Sequence, residues 1–243
     1  MSAAGRRLRV IGFGMGPQHV TPEAAAALAS VSYVVAFAKA AADPLLEVRR
    51  AVCAAYGEVP LVVVPDPERD RSPASAAAYD GAVREWHAAR TSALADVLGS
   101  RPGDVGMLVW GDPSLYDSTL RLVSSLAVQV EVIPGISAPS LLAARHAIVL
   151  HEVGRPVHVT TGRRLRADID AGQDNLVVML SSGIDLDGLE DWSIWWGANL
   201  GAPGERLVAG RVGDVLPALE AARVAARAAD GWVMDVFLLR APR

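Results

Sequence analysis

Leu8-Arg9-Val10-Ile11-Gly12-Phe13-Gly14-Met15-Gly16-Pro17 carries the decision about the fold. A short β-rich run ends in glycines. Thr21-Pro22-Glu23 then gives the start of a helix: a capping hydroxyl, a proline at the first helical position and an acid in the first turn. The same strand-to-helix alternation continues outward. Tyr33 to Phe37 is an apolar strand, Asp43-Pro44 repeats the cap-plus-proline signal, and Gly57 stands where that helix closes. Leu61 to Val64 is a further strand, and Ser72-Pro73 opens a long helical segment that ends near Gly99. The strand Val105 to Trp110, a helix around Ser118 to Leu126, the strand Val128 to Ile133 and a helix from about Ser137 to Ala147 complete this half. Continuous Val/Leu/Ile runs, with no period-2 alternation, predict strands buried on both faces of a mostly parallel sheet.

Past Gly154-Arg155-Pro156 the texture changes. Val157 to Thr161, Leu176 to Leu180, Ser193 to Trp196, Leu207 to Ala209 and Val233 to Leu239 read as strands, with one strong helix from Asp214 to about Ala229. Strands following one another predict a mixed or antiparallel sheet. The fold class expected is α/β in two domains, residues 1–150 and 151–243, with the boundary within about 148–156.

Composition narrows the function classes. The 243 residues carry 23 Lys+Arg against 27 Asp+Glu, a net charge of −4, which offers no basic surface for nucleic acid. A hydrophobic share of 51% supports a large core. Cys53 is the single cysteine, so no disulfide framework or multi-cysteine metal site is expected, and a reducing cytoplasm suits it. No apolar run approaches the ~20 residues that span a membrane. The histidines, His19, His87, His146, His151 and His158, are scattered, and no metal site is expected from them.

Two further loops resemble the first in placement. Trp110-Gly111-Asp112-Pro113-Ser114-Leu115-Tyr116-Asp117 follows a buried strand, and Ile133-Pro134-Gly135-Ile136-Ser137-Ala138 ends the next and opens a helix. The carboxyl ends of parallel strands are where open α/β sheets bind ligands, so the three loops are expected to share one pocket. A nicotinamide dinucleotide is the weaker occupant. Pro17 stands where the third glycine of that fingerprint belongs, and the strand tip Ala36-Phe37-Ala38-Lys39 has no carboxylate for a ribose. A cofactor-binding module without catalysis stays open on the residues alone.

The three loops in this order and spacing resemble the tetrapyrrole (corrin/porphyrin) methyltransferases over essentially the whole chain. Thr160-Thr161-Gly162-Arg163, Ile194-Trp195-Trp196-Gly197-Ala198 and Gly231-Trp232-Val233-Met234-Asp235 add to the likeness. Met15 departs from it, standing where proline is usual. The resemblance implies S-adenosylmethionine, left as S-adenosylhomocysteine, folded into a cleft between two domains. It implies contacts at Met15, Trp110, Gly111, Asp112, Leu115, Ser137, Ala138, Met179 and Leu180, and at Asn199, Leu200, Met234 and Asp235. It also implies a homodimer and a polycarboxylate tetrapyrrole substrate, methylated at a ring carbon.

A polyacid on a net-negative protein calls for local positive charge. Lys39 is the only lysine, so the basic charge is otherwise arginine, which pairs bidentately with carboxylates. Arg163, Arg164 and Arg166 are the preferred carboxylate clamp, Lys39 a second candidate, and a solvated loop the competing account. The resemblance further implies loss of an acyl group alongside methylation, which would need a proton-handling group, for which Tyr116 and Asp117 are the candidates. Asp117 also reads as a helix cap, and Tyr116 as packing.

Overall fold

The chain, taken from a computed structural model, is described over residues 5–38, 43–68, 76–181, 183–230 and 233–242. It divides into two units, Met1–Ile136 and Ser137–Arg243. The division precedes the 148–156 stretch because the helix Ala138–His146, grouped by sequence with the first layer, packs on strands of the second.

The first unit runs β1 (Arg7–Gly12), α1 (Pro22–Ala29), β2 (Tyr33–Ala38), α2 (Pro44–Tyr56), β3 (Leu61–Pro65), α3 (Ala76–Ser100), β4 (Val105–Val109), α4 (Thr119–Val123) and β5 (Gln129–Ile133). Its sheet has the order β3-β2-β4-β1-β5, and every pairing is parallel. Leu8, Val10, Val35, Met107 and Val109 face Leu94, Leu98, Leu122 and Val123 of α3 and α4. Ile11, Val34, Leu108 and Ile133 face Ala24, Leu28, Val52 and Cys53 of α1 and α2. Helices therefore cover both faces, as the uninterrupted apolar runs predict. Burial on both faces holds for β2 and β4 but fails at the edges, where Val63 of β3 is 39% exposed and Val132 of β5 is 47% exposed. An edge strand has a neighbour on one side only, and apolarity does not reveal which strands take that place.

The two cap-plus-proline signals are used as read. Thr21 Oγ1 accepts from Ala24 N at 3.1 Å and Asp43 Oδ1 from Leu45 N at 3.0 Å. The Ser72-Pro73 start proposed for α3 lies outside the described residues.

The second unit runs α5 (Ala138–His146), β6 (His158–Thr161), α6 (Leu165–Asp170), β7 (Asn175–Met179), β8 (Ser193–Ala198), β9 (Arg206–Arg211), α7 (Val212–Asp230) and β10 (Asp235–Arg240). The sheet order is β6-β7-β10-β8-β9, parallel only between β6 and β7, which makes it mixed. Leu176, Val178, Ile194, Trp196, Phe237 and Leu239 pack with Leu165 of α6 and Val212, Leu219 and Ala226 of α7. The short α6 was not expected; six residues are too few for a periodic signal. Trp196 is fully buried and Trp192 packs against the same core.

Candidate functional site

In the first unit the topology sets β1 between β4 and β5, so the loops after these three strands emerge side by side. They touch. Gly14 and Gly111 form an antiparallel bridge, with Gly14 N donating to Gly111 O at 3.2 Å and Gly111 N to Gly14 O at 2.8 Å. A Cβ on Gly135 would lie 2.2 Å from Gly111 O and 2.7 Å from the carbonyl carbon of Gly12; one on Gly12 would lie 2.7 Å from Gly135 N. Glycine is required here because the three backbones meet at contact distance, and Gly14 and Gly111 also have φ of +73° and +71°.

Asp112 pins the arrangement. Its Oδ2 accepts from Gly135 N at 3.0 Å, and its Oδ1 accepts the backbone N–H of Ser114 at 2.9 Å and the Ser114 hydroxyl. Burial works to raise its pKa, but the Ser114 hydroxyl and the two backbone N–H groups outweigh it and hold the carboxyl below the usual range. Both oxygens are thereby committed to the loops.

Phe13, fully buried, meets Trp110 edge-to-face with centroids 5.1 Å apart. Trp110 Nε1 is buried and has no partner among the described residues. Met15 is buried. Behind the glycines comes a 3-10 turn, Pro17–His19, before Thr21 caps α1. No helix N-terminus stands at the glycine loop to take a pyrophosphate, which counts against the dinucleotide reading.

The second unit gathers its own set. The register places Val236 opposite Met179 and Asp235 opposite Ala198, and Thr161 beside Met179. Met179-Leu180, Asn199-Leu200 and Met234-Asp235 therefore share one edge of that sheet, as does Gly162. Asn199 Oδ1 accepts from Met234 N at 3.0 Å, and Asn199 N donates to Met234 O at 2.9 Å. Asp235 accepts from Arg223 Nε at 3.0 Å and Trp196 Nε1 at 3.4 Å; burial raises its pKa despite the guanidinium. Ser137 caps α5, accepting from Ser140 N at 3.3 Å, and Ala138 opens that helix. Ser181 Oγ, next to Leu180, is buried without a partner among the described residues.

Non-glycine residues rarely hold positive φ, and such strain gathers at functional sites. Among the described residues five do so, and three are expected site residues: Tyr116 (φ 52°), Leu180 (φ 54°) and Asn199 (φ 50°). Leu180 is 63% exposed, an apolar side chain held outward in a strained conformation.

The proposed substrate groups fare unevenly. Arg164 pairs with Asp168 at 2.9 Å and Arg166 with Asp185 at 2.9 Å, so both of these already have carboxylate partners. Asp168 is itself a buried hub that also accepts from the Thr160 hydroxyl and lies 3.2 Å from His158 Nε2. Lys39 lies outside the described residues. Asp117 Oδ1 accepts from Thr119 N at 2.6 Å, a turn bond made one residue before Ser118, the cap of α4; Tyr116 is 46% exposed.

Sequence reasoning missed a group at the carboxyl ends of β2, β3 and β4. Arg90 of α3 lies over Phe37 at 4.2 Å and over Trp86 at 4.6 Å, and its Nε is 3.2 Å from Asp66 Oδ1. Arg49 of α2 donates to Leu108 O at 3.2 Å and Leu45 O at 3.1 Å. The i,i+4 pair Trp86 and Arg90 is the one local signal, and it does not distinguish a site from a helix face.

No helix among the described residues is long and apolar enough to cross a membrane, and no group of metal-binding side chains is found among them. The tetrapyrrole (corrin/porphyrin) methylase family model matches residues 7–216. A precorrin-6A synthase [deacetylating] from Sinorhizobium sp. is 39% identical, the match covering 99% of this chain and 97% of that protein. The crystal structure of a cobalamin-synthesis-related protein (CobF) from Corynebacterium diphtheriae superposes with a TM-score of 0.82 at 34% identity, covering 97% of this chain and 99% of that one. A uroporphyrin-III C-methyltransferase from Thermus thermophilus, solved with S-adenosylhomocysteine, shares the fold at TM-score 0.57 and 22% identity, covering 96% and 92%. Joined loops at adjacent strand ends and a match over nearly the whole length agree: the chain belongs to the tetrapyrrole (corrin/porphyrin) methylase family.

Proposed function

We propose that this methyltransferase takes S-adenosylmethionine, methylates precorrin-5 at C1 and releases acetate to give precorrin-6A, a step of aerobic cobalamin biosynthesis. The full-length similarity to a precorrin-6A synthase names the reaction. The observation that carries the cofactor is the loop junction Gly12–Gly111–Gly135, pinned by Asp112. The residues fit the group: Trp110 Nε1 and Ser181 Oγ are hydrogen-bonding atoms held in reserve beside the assigned contacts. Met15, Trp110, Gly111 and Leu115 from the first unit, with Ser137, Ala138, Met179, Leu180, Asn199, Leu200, Met234 and Asp235, are the proposed contacts. Asp112, Asn199 and Asp235 act mainly by fixing backbone, since their carboxylate or amide groups are bonded within the protein.

When bound, the cofactor supplies an activated methyl on a sulfonium, whose positive charge disperses as the methyl leaves. The chain's part is to orient and to exclude water, which needs close-packed loops and no nucleophile of its own. For acetyl loss, Tyr116 is the preferred proton-handling group, because the Asp117 carboxylate is engaged by the Thr119 N–H. In its working form the protein is proposed to be a cytoplasmic homodimer, consistent with a buried free Cys53 whose pKa burial pushes up to about 11.

Incubation with precorrin-5 and methyl-labelled donor tests the reading by mass analysis. One added methyl together with free acetate is expected; absence of methyl gain sinks it. Tyr116→Phe that releases acetate at the normal rate removes the tyrosine from the mechanism.

A further inference from the structure

The strands β2 and β4 are neighbours, but their ladder covers only Tyr33–Val105 and Val34–Gly106. Beyond those pairs they part. The chain leaves β2 toward α2 on one face of the sheet and leaves β4 toward α4 on the other. Adjacent strands whose connections diverge in this way open a crevice at their carboxyl ends, the place where open α/β sheets bind ligands. This crevice is separate from the glycine junction, which joins β4, β1 and β5.

Its lining is unusual for a structural seam. The Arg49 guanidinium occupies the parting and takes the Leu108 carbonyl that β2 leaves unpaired. Arg90 lies over the rings of both Phe37 and Trp86, with 15% of its side chain exposed. Asp66 closes its Nε side at 3.2 Å, yet neither Arg90 Nε nor Asp66 Oδ1 completes a hydrogen bond among the described residues. Among the described residues, the remaining edge of the guanidinium reaches Ser118 Oγ, at a long 3.4 Å, in the loop that continues from Gly111-Asp112-Pro113. Two aromatic rings and one carboxylate thus surround the guanidinium, and the edge that meets Ser118 lies beside the loop assigned to the reaction.

We infer that Arg90 is a substrate-recognition residue, receiving one carboxylate arm of the tetrapyrrole in the crevice between β2 and β4. The inference rests on the proposed function for its substrate class. Charge alone does not carry it: Asp43, Asp66 and Asp117 face the two arginines, so the crevice has no surplus positive field. Asp43 and Asp117 are held by the Leu45 and Thr119 N–H groups, and Asp66 steadies Arg90. Selection therefore comes from fork geometry. A planar guanidinium that is already immobilised loses little entropy on pairing with a carboxylate, and lysine cannot reproduce the bidentate contact.

The test uses the full-length protein and a probe independent of turnover. Uroporphyrin, an eight-carboxylate macrocycle, and its methyl ester are titrated by fluorescence against wild type, Arg90→Lys and Trp86→Leu, with S-adenosylhomocysteine affinity by calorimetry as the control. Wild type is expected to prefer the acid. Arg90→Lys is expected to weaken acid binding by about tenfold or more, the loss of one charge-assisted pair, and to leave ester and S-adenosylhomocysteine binding unchanged. Trp86→Leu, which removes one ring contact but keeps the charge, is expected to weaken acid binding by a smaller factor. Unchanged acid binding in Arg90→Lys overturns the inference, as does a parallel loss of S-adenosylhomocysteine affinity. If Arg90→Lys does not fold, unchanged acid binding in Trp86→Leu overturns it. Wild type that discriminates acid from ester but leaves precorrin-5 unmethylated would sink the proposed reaction and leave this assignment standing.

Discussion

A single added methyl group separates the loop junction from collapse. Gly135→Ala would place a carbon 2.2 Å from the Gly111 carbonyl oxygen, where only backbone can yield. The expected cost is about 3 kcal/mol, at the upper end of overpacking, read as a lowered Tm, together with loss of S-adenosylhomocysteine binding. Asp112 gives the same junction a pH dependence. Its pKa is depressed in the folded protein, so the unfolded chain holds this proton more tightly. The stability it lends is complete above the unfolded value of about 4 and is lost as pH falls through the folded value. The Tm advantage of wild type over Asp112→Asn is therefore expected to be widest near neutrality and to shrink below about pH 4. Leu180 makes the opposite trade. Its left-handed backbone costs about 1 kcal/mol, which glycine would not incur. Leu180→Gly is expected to hold its Tm despite losing a side chain, while binding S-adenosylhomocysteine several-fold more weakly; undiminished affinity would show that the exposed leucine touches no cofactor.

At the scale of elements, what could be read beforehand was what a local signal encodes. Caps, prolines and apolar runs placed β1, β2, β4, α1 and α2, because Thr21 and Asp43 do their work within three residues of themselves. Strand order was not legible. That β1 lies between β4 and β5 is a long-range fact, and the meeting of Gly12, Gly111 and Gly135 follows from it. The three loops were recognised as one group by likeness of placement, but the reason for their glycines was not. Arg90 escaped notice because its partners Phe37, Asp66 and Ser118 come from three other segments. Ser137, a proposed contact, also serves its own element, since its hydroxyl accepts from Ser140 N at the start of α5. Ser137→Ala is expected to cost about 1 kcal/mol of stability, the usual loss for a cap. If S-adenosylhomocysteine affinity then stays constant, the serine is a cap and no contact; a fall in affinity beyond the loss of stability would restore the contact.

Across the whole molecule, the arginines explain how a protein of net charge −4 can be asked to accept a polyacid. Among the described residues, many of them are spent in ion pairs. Arg7 pairs with Asp104, Arg9 with Glu131, Arg145 with Glu205, Arg164 with Asp168, Arg166 with Asp185, Arg211 with Asp191 and Arg223 with Asp235. Charge consumed in pairs at contact distance projects little potential beyond a screening length. Attraction of the substrate must then arise within the site, after an approach that the net charge opposes. Salt separates these two stages. Raising ionic strength from about 10 mM to about 150 mM shortens the screening length from about 30 Å to about 8 Å, which weakens the distant repulsion more than a desolvated guanidinium contact. For a protein that draws in a polyanion with a basic funnel, kcat/KM falls steeply over this range. Here kcat/KM for the tetrapyrrole is expected to hold steady or rise, and a steep fall would mean that a long-range positive field, absent from the described ion pairing, guides the substrate after all.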